Sequence, residues 1–277
     1  MAFRLRFRGV RGSIAVPSPD HVRYGGNTSC IEVALGDHRL VLDAGTGIRE
    51  LGQDLLRENV RDVNILLTHT HWDHINGFPF FAPAYLPENR VRIYAGHLTG
   101  EENALAAVLS TQMANPMFPV PLEAMQADLT LVDFRAGETL HLFPDVEIPT
   151  APLNHPNGAT GYRINYDGRS LCYITDTEHK PGGPDQRILE LIKGADLVIY
   201  DSTYTQEEYK NHVGWGHSTW NEGVRLCRAA DVKRMAIFHH EPDHDDAFMD
   251  ALAAEAAAVW DGAFVAQEGM VIDMDDL

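Results

Sequence analysis

Positions 69–74 of this 277-residue chain read His-Thr-His-Trp-Asp-His, three imidazoles and one carboxylate within six residues. Neutral imidazole and carboxylate oxygen are suitable ligands for zinc, iron or manganese. In an extended segment His69 and His71 share a face, because side chains alternate with a period of two. Asp73 and His74 can then turn toward a second position. The motif directly follows an apolar run, and that arrangement recurs. Leu171–Thr175 runs into Asp176, Leu197–Tyr200 into Asp201, and Met235–Phe238 into His239. Buried strands that deliver polar side chains at their ends build a site on rigid supports where several loops converge.

The elements that must position these residues follow from hydrophobic periodicity. Strands are predicted at Ile31–Leu35, Leu40–Asp43, Val63–Thr68, Val91–Ala95, Gly161–Tyr166, Leu171–Thr175, Leu197–Tyr200, Met235–Phe238 and Val271–Met274. Helices are predicted at Gly47–Glu58, Glu101–Thr111, Asp185–Ile192, Thr219–Ala230 and Asp246–Trp260, with Ser218 and Asp245 as caps. Asn115–Pro121 holds three prolines and reads as a loop. Arg4, Arg6, Arg8 and Arg11 alternate with Phe3, Leu5 and Phe7, which favours a strand with one polar face over an anion site. Strands mixed with helices throughout imply an α/β architecture of layered sheets. Without repeats, low-complexity tracts or long linkers, residues 1–277 read as a single domain.

Composition narrows the class. Hydrophobic residues make up 44% and charged residues 22%, as in ordinary globular proteins. No apolar run reaches the roughly 18–20 residues that span a bilayer. The arginine-bearing start lacks the apolar core of a secretory signal. Cys30, Cys172 and Cys227 are far apart and odd in number, so they read as reduced thiols in a cytoplasmic protein. Lys and Arg total 22 against 40 Asp and Glu, a formal charge of -18. Such a field disfavours long nucleic acid and membrane surfaces as partners, although a bound metal can invert the sign locally.

In these residues the chain resembles the metallo-β-lactamase fold superfamily. His69-x-His71-x-Asp73-His74 is similar to its signature. His155, Asp176 and His239 resemble its later ligands, and Asp43 its first motif, where the carboxylate supports a ligand. The resemblance implies a four-layer αββα sandwich and two divalent metal ions, Zn2+ by default with Mn2+ as runner-up. It assigns His69, His71 and His155 to one metal and Asp73, His74 and His239 to the other. Asp176 bridges the two. Since adjacent side chains on a strand point oppositely, only one of His239 and His240 can be the last ligand, and the alignment favours His239.

Gly216-His217-Ser218-Thr219 resembles a motif of the ribonuclease Z and phosphodiesterase branch, where the histidine sits by the scissile phosphate. Gly25–Cys30 resembles that branch's N-terminal loop. Ribonuclease Z carries a long arm between the third and fourth motifs that grips transfer RNA. Here His155 and Asp176 are only 21 positions apart, which leaves no room for it. The resemblance thus implies a dinuclear phosphodiesterase for small phosphodiesters, above all cyclic nucleotides, with Asp73 and His217 as catalytic groups. A homodimer is consistent with the family. The alternatives are a ribonuclease for transfer RNA 3′ ends and a lactam, lactone or thioester hydrolase.

Other residues stay open. Asp201 either orients His217 or caps a turn. Met113, Met117 and Phe118 either cover the site mouth or pack in the core. His212 reads as a loop residue near the site. His179 and His244 either support the site or lie at the surface, and His21, His38, His97 and His141 read as surface residues.

Overall fold

The computed structural model describes residues 3–98, 103–179 and 182–277. Two seven-stranded mixed sheets stack face to face. The first contains β1 (Phe3–Gly9), β2 (Cys30–Leu35), β3 (His38–Leu42), β4 (Asp62–Leu67), β5 (Arg90–Ala95), β6 (Asp128–Asp133) and the late strand β14 (Val271–Asp273). Its order is β14-β1-β2-β3-β4-β5-β6. The second contains β7 (Thr139–Phe143), β8 (Val146–Leu153), β9 (Ala159–Tyr166), β10 (Arg169–Ile174), β11 (Leu197–Asp201), β12 (Arg234–Phe238) and β13 (Ala263–Val265). Its order is β13-β12-β11-β10-β9-β8-β7. In each sheet, hairpin-joined antiparallel strands give way to parallel ones, β3 to β6 in the first and β10 to β13 in the second.

Helices cover the outer faces. They are α1 (Ile48–Arg57), α2 (Trp72–Ile75), α3 (Ala104–Gln112), α4 (Gln186–Ile192), α5 (Gln206–Tyr209), α6 (Trp220–Ala229) and α7 (Asp246–Val259). The strand period of two decides which residues meet which layer. In β11, Leu197 and Ile199 face the opposite sheet, while Val198 and Tyr200 face helices. In β12, Ala236 and Phe238 face the sheet, while Met235 and Ile237 face helices. Parallel strands buried on both faces read as continuous apolar runs, as these do. The result is the expected αββα sandwich.

The differences from the predicted elements are instructive. β6, β7, β8 and β13 escaped prediction. Asp128–Asp133 and Thr139–Phe143 are only half-buried, so polar residues interrupt their patterns. The predicted start of the Glu101–Thr111 helix lies outside the described residues, and α3 runs Ala104–Gln112. Asp245 caps α7 through Phe248 N. The cap of α6 is Thr219 rather than Ser218, because Thr219 accepts from Glu222 N while the Ser218 hydroxyl is held by Tyr200 and His179. The basic strand is a paired face: Arg4 meets Asp273, and Arg8 meets Glu32 and Asp54. Arg11 is instead buried against the carbonyls of Gly25, Glu241 and His244. All three cysteines are free and buried, and burial pushes the Cys172 thiol up to about 12. Among the described residues no helix is long and apolar enough to cross a membrane.

Ile199 is fully buried between the sheets and stands two residues before Asp201. Ile199→Ala should cost about 2–5 kcal/mol, and Ile199→Val only about 0.5–1.5 kcal/mol, in denaturant unfolding. Equal midpoints for the two variants would mean that the layer repacks freely.

Candidate metal centre

The parallel strands of both sheets point their C-terminal ends at one place. β4 ends just before Thr68-His69, β10 before Asp176, β11 at Asp201 and β12 before His239. His71 precedes the short helix α2, which carries Asp73 and His74. His155 lies in the turn between β8 and β9.

Seven donor side chains converge there in two triads and a shared carboxylate. His69, His71 and His155 form one triad; Asp73, His74 and His239 form the other. The Asp176 carboxylate lies between them. Its Oδ2 is 3.5 Å from Nε2 of His69 and of His155, and its Oδ1 is 3.2 Å from Nε2 of His74 and of His239. His155 Nε2 and His71 Nδ1 are 3.0 Å apart, and His74 Nε2 and His239 Nε2 are 3.3 Å apart. His69 Nε2 is buried without a hydrogen-bond partner.

The far nitrogen of each imidazole is held by a different group. His74 Nδ1 meets Asp43 Oδ2 at 2.8 Å, and His155 Nδ1 donates to the Gly216 carbonyl at 2.8 Å. His69 Nδ1 is 3.1 Å from Thr68 Oγ1, and His239 Nδ1 is 2.9 Å from Thr203 Oγ1. His71 Nε2 is 3.3 Å from Asn157 Oδ1. Such partners fix ring orientation and tautomer at metal sites. Asp43 is itself fixed by Thr68 N at 2.7 Å and the Tyr173 hydroxyl at 2.8 Å. Asp73 Oδ2 accepts from Ser13 N at 2.7 Å.

The electrostatics are those of a site that suits a cation. Burial drives His69 well below the ordinary histidine range, and neighbouring imidazoles add to this. Burial also opposes charge on His74, but Asp176, Asp73 and Asp43 outweigh it and hold its protonated form well above that range. Burial works against the charged forms of Asp73 and Asp176 too, yet the surrounding imidazoles keep both well below the usual carboxylate range. Imidazole nitrogens aimed at one another and at two carboxylates form a donor set that fits divalent metal ions such as zinc.

Three residues at the site have left-handed backbones: Asp43 at φ 61°, Asp176 at φ 55° and His239 at φ 62°. Each follows a strand, and the kink redirects the side chain at the strand's exit. Asp and His tolerate this region better than most residues, and strain of this kind clusters at functional sites. Gly12 has no Cβ because one there would collide with the His239 ring.

The other sequence candidates fall into place. His240 turns away: its Nε2 meets the Ala266 carbonyl at 2.9 Å, and burial pushes it down to about 3. His217 Nδ1 donates to Asp201 Oδ2 at 3.0 Å. Burial pulls His217 down, but the charge and hydrogen bond of Asp201 prevail and push it up to about 9. Asp201 also holds the turn at Thr203, so both of its anticipated roles coexist. Met113 is buried in the core and Met117 is exposed. Phe118 packs partly on the core, edge-on to Phe80. His212 stacks on Tyr204, whose ring meets His217 edge-on. His179 holds Ser218, and His244 pairs with Glu208.

Two residues expected at the surface are buried. His21 meets the Pro242 carbonyl, and His97 meets Thr70 Oγ1 at 3.0 Å, one layer behind His69. Their flanking sequences carry no pattern that separates a buried imidazole from an exposed one. Gly12-Ser13, Tyr173, Glu178 and Thr203 were also missed, because each acts on the site across a long stretch of chain.

A family model described as a β-lactamase superfamily domain matches residues 38–240, well over half of the chain. The chain belongs to the β-lactamase superfamily. Within this superfamily, a curated relative named Ribonuclease Z, from Haloarcula marismortui, is 24% identical, covering 98% of this chain and 96% of the relative. A solved diphosphatase of the PhnP family superposes with a TM-score of 0.71 at 21% identity, covering 98% of this chain and 97% of that one. Zn2+-bound PqqB from Methylobacterium extorquens gives a TM-score of 0.72 at 18% identity, covering 98% and 99%. The two structures share this superfamily member's fold.

The geometry predicts different outcomes for adjacent histidines. His239→Ala should remove about one equivalent of metal in elemental analysis of reloaded protein. His240→Ala should retain both equivalents even where it lowers stability. Loss of metal from the His240 variant alone would reverse the assignment.

Proposed function

We propose that this protein is a metal-dependent phosphodiester hydrolase that acts on small substrates, with cyclic nucleotides as the preferred class. One observation carries the reading. Two donor triads share the two oxygens of one carboxylate, with a non-identical histidine beside them anchored on its own aspartate. His69, His71 and His155 would hold one divalent metal, Zn2+ by default, and Asp73, His74 and His239 the second, with Asp176 common to both. When bound, such a pair acts as a Lewis acid that lowers the pKa of water and neutralises phosphoryl oxygens.

The chain's own groups complete the chemistry. Asp73 Oδ2 accepts from Ser13 N and faces Nε2 of His74 and of His239 at 3.3 Å, so the carboxylate is fixed where it would orient the attacking water. Asp201 holds the Nδ1–H of His217, so Nε2 is the nitrogen that faces substrate. From there it donates a proton to the leaving alkoxide. Burial of the Asp201 carboxylate keeps that imidazole in one tautomer and one orientation.

The second reading, a ribonuclease for transfer RNA precursors, is favoured by the nearly full-length match to relatives named Ribonuclease Z. Against it stands the stretch from His155 to Asp176, which is filled by the tight β9–β10 hairpin and offers no arm to grip RNA. The charge of -18 points the same way, though screening at physiological salt limits its reach to about 8 Å. Without the arm a long RNA loses phosphate contacts that add to its affinity. The reading is tested by turnover of cyclic mononucleotides against a precursor transfer RNA at matched salt and metal. Higher kcat/KM on the cyclic esters is expected, and faster cleavage of the RNA would establish the second reading instead.

His217→Ala should keep both metals and lower turnover by roughly 10²–10⁴-fold. The loss should shrink on a nitrophenyl phosphodiester, whose leaving group barely needs a proton. Loss of metal from this variant would make His217 a ligand rather than a proton donor.

A further inference from the structure

The chain has four tryptophans. Trp220 is buried in the core at 2% exposure, whereas Trp215 is 62% exposed and stands two residues before His217. Val213 in the same loop is 63% exposed, so the segment leading to His217 presents two large apolar side chains to water. The loop that carries Trp215 is nonetheless built. The Glu178 carboxylate accepts from Gly214 N at 2.7 Å, from Gly216 N at 2.9 Å and from the Tyr209 hydroxyl at 2.9 Å. Asn154 Nδ2 in turn donates to the Glu178 carbonyl at 2.7 Å. Gly216, in the left-handed region at φ 90°, presses on the His155 ring so closely that a Cβ would collide with it. Its carbonyl receives His155 Nδ1–H. The Trp215 ring rests edge-on against His212 at 4.9 Å, and His212 stacks on Tyr204 at 4.4 Å. The backbone on both sides of Trp215 is therefore fixed, its ring is linked to His217 through His212 and Tyr204, and most of its indole is left bare.

Among the described residues, no Lys or Arg pairs with or hydrogen-bonds to the seven donors or to His217. Beyond the metals, the imidazole of His217, held by Asp201, is the positive group beside the donors that an anionic ester can meet. That charge addresses the phosphate, and an uncharged part of the substrate calls for a contact of another kind. An aromatic base stacked on an indole supplies such affinity without regard to charge.

We propose that Trp215 is the specificity-determining platform for an aromatic base of the phosphodiester substrate, and that Glu178 is the positioning residue that holds it beside the cluster. The inference rests on the phosphodiesterase reading above and adds the part of the substrate that is recognised. It distinguishes a nucleotide ester from a sugar or alkyl phosphodiester of the same charge.

The test compares a cyclic adenosine monophosphate with the same ribose cyclic phosphate lacking its base, on metal-loaded protein. Trp215→Ala should raise KM for the nucleotide by roughly 5–150-fold, the range of one lost stacking contact, with kcat falling less than KM rises. The preference for the nucleotide over the baseless ester should collapse. Trp215→Phe, which keeps a ring, should recover most of it. Glu178→Gln should lose the same preference although the indole is present. As a readout independent of turnover, adenosine monophosphate should quench the protein's indole emission saturably, and Trp215→Phe should abolish that component. An equal loss on both substrates, or an unchanged preference in Trp215→Ala, would overturn the inference and leave the phosphodiesterase reading intact. Turnover of no phosphodiester by the wild-type protein would sink that reading, and the quenching titration would then decide the stacking contact by itself.

Discussion

Everything around the centre depends on one electrostatic constraint. Five imidazoles and two carboxylates converge in overlapping groups of three, and within each group the donor atoms lie within 4.8 Å of one another, most of them out of water. Protons alone cannot satisfy such a set. Neutral rings facing each other leave lone pairs opposed, and protonated rings repel while burial penalises each charge. The opposite directions imposed on His69 and His74 express this conflict within one motif. Divalent cations resolve it, because every donor then points at positive charge.

The hydrogen bonds behind the donors exist to keep those directions fixed. They arrive from both halves of the sandwich. Asp43 leaves the first sheet after β3, yet it is oriented by Tyr173 of the second. Thr203, after β11, steadies His239 after β12. Ser13, from the loop after β1, reaches Asp73. The centre therefore ties the two sheets together at one end, and core packing between them sets the spacing of the triads. A shift of one sheet against the other would separate the two oxygens of Asp176 from one triad or the other.

The surface follows a different logic. A chain of net charge -18 that bound an anion at this centre would have to supply its positive charge locally. Its arginines are spent elsewhere: Arg8 on Glu32 and Asp54, Arg11 on buried carbonyls. What remains at the centre is imidazole, and beyond it a rigid loop with an exposed indole.

The candidate donors and their order were legible in the sequence. The spacing of His69, His71, Asp73 and His74 after a buried strand is local chemistry, and apolar runs ending at Asp176, Asp201 and His239 announced strand ends. Continuous apolar runs also made the layered α/β fold legible, because strands buried on both faces cannot hide their composition. Half-buried edge strands such as β6 and β7 were not legible, since their pattern depends on which neighbour covers them. Only the tertiary structure decided which way each donor faces. Left-handed backbones at Asp43, Asp176 and His239 swing side chains into the site, and such kinks are set by packing rather than by propensity. The direction of His239 into the cluster and of His240 away from it, the burial of His21 and His97, and the contacts of Ser13, Thr203 and Glu178 were likewise set by the fold. Each of those side chains is defined by a partner that folding brings to it from a separate part of the chain, and no local window of residues contains such a contact.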